Sequence, residues 1–153
     1  MNLLIFGSSS FSSQVFNLEI LNSGLFKEDN IYYLSRKSEG LNYLDLLETK
    51  SFSKSLLSKK SIIVSFVPIW LLDNFLKNFS IKNKHLIKNI KLLITTSSTS
   101  ALTKRYSFNQ FDKSLSQRLT KAEENLLNFC ELNKININVI RTSLIYGRVN
   151  GIK

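Results

Sequence analysis

Short apolar runs alternate with amphipathic stretches along the whole chain, with no internal repeat and no Pro/Gly-rich linker. Residues 3–6 read as a first strand. Residues 11–22 follow as a helix with Val15, Leu18 and Leu21 on one face and Gly24 just past its end. Residues 31–34 read as a second strand, 41–44 as a weak third, and 52–58 as a short helix. The run Ser-Ile-Ile-Val-Ser-Phe at 61–66 is the clearest buried strand, and Pro68 opens a helix over 70–79, since proline suits a first helical turn. Residues 91–95 form a fifth strand and 97–112 a polar loop. A long helix over 113–133 has Leu115, Leu119, Ala122, Leu126 and Phe129 on one side, and 137–141 is a sixth strand.

Strands separated by helices predict an α/β fold with a parallel sheet covered on both faces. Right-handed crossovers favour the Rossmann-like doubly wound order 3-2-1-4-5-6 in three layers. Ligands in such sheets sit outside the carboxyl ends of the strands. Gly7, Arg36, Phe66 and Ser98 each follow a strand at that edge.

A chain of 153 residues is one domain's worth, and its 43% hydrophobic and 21% charged residues fit a globular protein. No apolar run approaches the roughly 20 residues that span a bilayer. The start lacks the charged and long apolar regions of a signal peptide. The expected compartment is the cytoplasm, with no membrane partner. The single cysteine, Cys130, excludes an internal disulfide, offers no metal cluster and falls in a helical pattern as a small core residue. The net charge of +10 raises the question of nucleic acid. The cations are mostly lysines scattered among Asn, Ser and Ile, with no arginine cluster, so a solvated basic surface is expected and nucleic acid is not an expected partner. Such a surface still attracts a phosphorylated ligand.

The chemistry-bearing candidates begin at the first turn. A dinucleotide-binding fold places G-x-x-G-x-x-G there. Gly7 is retained, with Ser10 and Ser13 at the other two glycine positions and Ser9 and Phe11 between them. Helix N-terminal N–H groups at such a turn receive a pyrophosphate. A serine-rich helix cap is the alternative reading. The second strand ends in Ser35-Arg36-Lys37, where an acidic residue would bind ribose hydroxyls. An arginine there pairs with a 2′-phosphate, which points to NADP over NAD.

The motifs in order resemble the extended short-chain dehydrogenase/reductase family, the NAD(P)-dependent sugar epimerases and dehydratases. Leu-Ile-Phe-Gly-Ser-Ser-Ser-Phe-Ser-Ser at 4–13 resembles the family's first turn, and Asp45-Leu46 its acidic-apolar pair near the adenine. Phe66-Val67-Pro68 resembles the segment after strand four, and Ser97-Ser98-Thr99-Ser100 the catalytic serine strand end. Thr120-Lys121-Ala122-Glu123 resembles the active-site helix, and Arg-Thr-Ser-Leu-Ile-Tyr-Gly at 141–147 the family's Arg-Pro-x-x-Ile-Tyr-Gly element. The resemblance implies a dinucleotide cofactor, a sugar-nucleotide substrate and hydride transfer. Ser98 would hold the substrate oxygen. Lys121 would hold the nicotinamide ribose and lower the pKa of a tyrosine four residues earlier.

That tyrosine position is Gln117, which has no titratable proton, so the chain as written is expected to lack competent chemistry. A non-catalytic binding or regulatory module is the alternative. Tyr106 reads as a loop aromatic packed on the domain, Tyr146 as structural, Arg141 as a strand-end anchor and His85 as a solvated surface residue. A homodimer is compatible with the pattern. The chain stops at Gly151-Ile152-Lys153, where family members carry a further substrate-binding region. The expectation is therefore a C-terminally truncated fragment.

Overall fold

The structure is a computed structural model and describes residues 1–143. Tyr146 and the rest of the Ile-Tyr-Gly element and tail lie outside the described residues.

Five parallel strands form one sheet: β1 (Asn2–Phe6), β2 (Ile31–Leu34), β3 (Ser61–Ser65), β4 (Ile90–Ser98) and β5 (Asn136–Thr142), in the order β2-β1-β3-β4-β5. The helices are α1 (Phe11–Ser23), α2 (Ile69–Ile87), the short α3 (Ser100–Thr103) and α4 (Gln110–Asn133). α1 packs on one face of the sheet, and α2 and α4 on the other, a Rossmann-like doubly wound arrangement. No described helix is long and apolar enough to cross a membrane.

The strand pleat sorts the core into two layers. Leu3, Ile5, Ile31 and Val64 face α1 and meet Phe16 and Ile20. Leu4, Phe6, Leu34, Ile63 and Leu93 face the other way, onto α2 and α4. There Phe52 and Phe75 each meet Phe6 and Phe79 as well as one another, with ring centroids 5.3 to 5.9 Å apart. Cys130 is fully buried among these apolar side chains, and burial pushes its thiol up to about 11.

Five elements differ from the sequence reading. The third strand over 41–44 does not form. Gly40, in the left-handed region at φ 58, starts a 3-10 turn over Gly40–Asn42, and one parallel bridge, Ser35 to Tyr43, stands where that strand would pair. The observed order is thus the doubly wound one with its third strand removed.

The second difference is the phase of α1. Val15, Leu18 and Leu21 point to solvent, and Ser13, Phe16 and Ile20 face the sheet. Both triplets have helical spacing, so periodicity alone does not choose between them. The tight turn from β1 sets the helix phase, and the small, fully buried Ser13 permits the close approach of helix to strand.

Third, the segment 52–58 makes only a 3-10 turn over Lys54–Leu57. Its serines bond locally, as Ser58 Oγ does to the Ser55 carbonyl, and compete with a helical ladder. Fourth, the loop over 97–112 is shorter than expected. β4 runs through Ser98, α3 follows, and Asn109 caps α4 by accepting the Phe111 N–H at 2.9 Å. α2 is also longer than expected, continuing past residue 79 through a kink at Asn83, whose side-chain amide donates to the Phe79 carbonyl.

Candidate functional site

The β1–α1 turn is built around one glycine. Gly7 has φ +75, and a Cβ there would lie 2.9 Å from Val67 Cγ1 and 3.3 Å from the backbone of Phe66 and Val67. Both the backbone conformation and the approach to the end of β3 therefore require glycine. The N–H groups of Gly7 and Ser8 both donate to the Leu34 carbonyl, at 2.9 and 3.2 Å, tying the turn to β2.

The two serines at the lost glycine positions serve the helix. Ser10 caps α1, its Oγ accepting the Ser13 N–H at 3.3 Å, and Ser13 Oγ donates to the Ser10 carbonyl at 2.8 Å. Gln14 makes the first intrahelical bond, to Ser10, so the N–H groups of Phe11 and Ser12 have no partner within the helix. Phe11 opens α1 at the surface.

Beside this turn lies a crevice of about 250 Å³, at the carboxyl edge of β1, β2 and β3 where the strand order reverses. It brings together Gly7, Ser9, Arg36, Asp45 and Leu46 of the sequence-derived candidates. Leu44, Leu46, Val67 and Leu71 give it apolar walls, and Arg36 and Lys37 are exposed cations at its rim. Asp45 is held by its own turn: its Oδ1 accepts the Leu47 N–H at 3.0 Å, and its backbone N–H and carbonyl both bond Ser51 Oγ. An apolar slot with two cations at its mouth and a glycine floor suits a flat ring bearing phosphate. Ser10 and Phe11 are beside the crevice without lining it.

Phe66 and Ser98 lie in a second hollow of about 260 Å³, between the ends of β3 and β4. It shares Val67 and Pro68 with the first crevice, so the two adjoin along the sheet edge. Ser98 Oγ accepts the Ser100 N–H at 3.1 Å, shaping the entry to α3. Lys121 is elsewhere. It sits exposed on the outward side of α4 and lines an open groove with Tyr106, Gln117 and Thr120. Ser98 and Lys121 line different hollows, though Trp70 borders both the Ser98 hollow and a further one lined by Lys121. Tyr106, expected to pack on the domain, is exposed.

One constellation escaped the sequence reading. Glu123, buried on the sheet-facing side of α4, receives Arg141 of β5 through Nε and Nη2 and the hydroxyl of Ser97 of β4. Hydrogen bonding to Glu123, then its charge, holds the Arg141 guanidinium above its ordinary pKa. The available signal was an acid at 123 inside the apolar face carried by Leu119, Ala122 and Leu126. Among the described residues, no group of three or more His, Cys, Asp or Glu is placed to hold a metal ion.

No family model and no curated protein matches the chain. Among solved structures it is similar to one named DdhaC, with a TM-score of 0.63 and 15% identity, over 95% of this chain and 47% of that one. At that identity the likeness shows the fold alone, and the chain spans about half of that structure's length.

Proposed function

We propose that the crevice beside Gly7 binds the adenosine end of a dinucleotide, NADP in preference to NAD. The observation that carries this is the convergence of a glycine-floored turn, apolar walls and the Arg36–Lys37 pair at the topological switch point. The 2′-phosphate meets Arg36, Leu44, Leu46 and Val67 flank the ring, and the unbonded N–H groups at the start of α1 face the pyrophosphate. The second hollow, with Phe66 and Ser98, extends the path toward the nicotinamide end. The resemblance to sugar epimerases and dehydratases supports this assignment and supplies the hydride-transfer chemistry of the intact family.

The residues here favour binding without turnover. Gln117 replaces the family's tyrosine, and Lys121 lines a different groove from Ser98. A regulatory module that senses the dinucleotide is the second reading, favoured by Gln117. Calorimetric titration with NADPH, NADH and adenosine 2′,5′-bisphosphate tests the site. NADPH should bind at least about tenfold more tightly than NADH, about 1.4 kcal/mol, and the bisphosphate should compete. Tighter NADH binding overturns the role of Arg36, and no binding of any of the three overturns the site. Hydride transfer to a sugar nucleotide by the unaltered chain would overturn the reading without turnover.

A further inference from the structure

Residues 106–111 hold three aromatic rings in solvent. Phe108 is fully exposed, Tyr106 is 85% exposed and Phe111 72%. Large apolar side chains gain by leaving water, and the loop that carries these is braced against folding them in. Lys104 closes on Asp112 at 2.6 Å, Ser107 Oγ accepts the Asn109 N–H at 3.1 Å, and Asn109 caps α4. Rings clustered in water on a braced loop mark a surface made for a partner.

Tyr106 and Phe108 line one wall of a groove of about 840 Å³, and α4 forms the other. Lys113, Gln117 and Lys121 follow one another at a spacing of four along that wall, so the two lysines stand about 12 Å apart along the helix. Arg105 joins them from the loop, its guanidinium 5.7 Å from the centre of the Tyr106 ring. Among the described residues none of these three cations pairs with a carboxylate, and Glu124 is the one acid lining the groove. The lysines are scattered in sequence, and the fold gathers these beside the exposed rings.

We propose that this groove binds single-stranded nucleic acid, with bases stacked on Tyr106 and Phe108 and phosphates on Arg105, Lys113 and Lys121. Rings beside a line of unpaired cations match a strand that alternates rings and charges. Gln117, exposed between the two lysines, offers an amide to a base edge or sugar. Every α4 residue lining the groove is polar, unlike a helix side that a further apolar layer covers. Residues 144–153 bring Arg148 and Lys153 and no acid, so they do not complement the cations. A membrane surface also attracts rings and cations together, but these cations line a groove, which a strand enters and a bilayer does not.

Fluorescence anisotropy with labelled oligo(dT) and oligo(U) of about twelve nucleotides tests the groove on the purified chain. Both should bind, the tighter naming the preferred sugar, and a duplex of the same length should bind at least about tenfold more weakly. Charge alone would favour the duplex, which is the denser polyanion. A chain of net charge +10 also adsorbs polyanions without a site, so the deciding variants change rings and not charge. Tyr106→Ala with Phe108→Ala should weaken the strand at least about tenfold, with the urea midpoint unchanged because both side chains are exposed. Tyr106→Trp with Phe108→Trp should keep the binding. Three phosphate contacts should give a log–log salt slope of about −2, and Lys113→Gln with Lys121→Gln should bring it to about −0.7. No binding of either strand, equal binding of the duplex, or binding indifferent to the loss of both rings overturns the proposal. So does displacement by saturating NADPH, which would place the strand in the crevice beside Gly7, or a preference for vesicles of anionic lipid over either strand.

Discussion

Arg141 at the end of β5 clasps Glu123 in the middle of α4, and Ser97 of β4 donates to the same carboxylate. Three elements thus meet at one buried acid. The Glu123 side chain is 4% exposed and that of Arg141 43% exposed, so the energetic weight falls on the glutamate. Removing a partner of a buried pair strands a charge, whereas water reaching the arginine softens the loss. Arg141→Ala should lower unfolding free energy by about 2 kcal/mol, read from the urea midpoint. Adding Glu123→Ala should cost less than the sum of the two single changes, because the stranded acid is gone.

Gly7→Ala should cost more than an ordinary loop substitution. The new methyl meets Val67 Cγ1 at 2.9 Å, and the backbone is held at φ +75. Strain of this kind is worth about 1–3 kcal/mol. Urea denaturation should show a loss in that range, partly relieved by Val67→Ala, which removes the nearest atom but leaves the positive φ.

Ser10 provides a separate test of the turn. Its hydroxyl caps α1 at Ser13, so Ser10→Ala should cost about 1 kcal/mol, and Ser10→Gly only a few tenths. Ser10→Gly also restores a glycine where the dinucleotide fingerprint has one, and should tighten NADPH binding in a titration. Weaker binding by the glycine variant would assign Ser10 to the ligand as well as to the cap.

The layered α/β fold was legible because the strands over 31–34 and 61–66 and the long helix ending at 133 have unambiguous patterns. What escaped was decided by contacts distant in sequence or by competing local bonds. Val15 and Phe16 are equally apolar, and only the turn at Gly7–Ser10 determines which faces the sheet. Residues 41–44 carry strand-like side chains, but Gly40 turns the chain and leaves a single bridge. Arg36, Asp45 and Gly7 were individually identifiable as candidates, and the fold brings them around one crevice. That Lys121 and Ser98 line different hollows was invisible, because helix phase decides which side of α4 a residue takes and motif spacing does not.

Cys130 makes stability depend on alkaline pH. Its thiol is raised from 9.0 to about 11 by burial, which disfavours the thiolate in the folded chain. The contribution is fully present below the unfolded value near 9. It is lost as pH rises to about 11, because the unfolded chain ionises first. Between pH 8 and 11 the Cys130→Ala variant should therefore lose less stability than the parent. The parent thiol should react with a disulfide reagent at pH 8 only as fast as the chain opens.

Arg36 is the residue on which cofactor preference turns. It stands exposed at the crevice rim, so its charge is solvated in the free protein and costs little to hold there. A 2′-phosphate would gain a bidentate, charge-assisted contact, each such bond being worth about 1.5–3 kcal/mol. A ribose hydroxyl at the same place gains far less from a guanidinium. Arg36→Gln should therefore weaken NADPH by about ten- to a hundredfold and leave NADH nearly unchanged. Lys37, the second cation at the rim, acts as a point charge, and Lys37→Gln should weaken NADPH by a smaller factor that shrinks further as salt is raised. Equal losses for NADPH and NADH on changing Arg36 would place the arginine at the shared pyrophosphate and remove it as the source of preference.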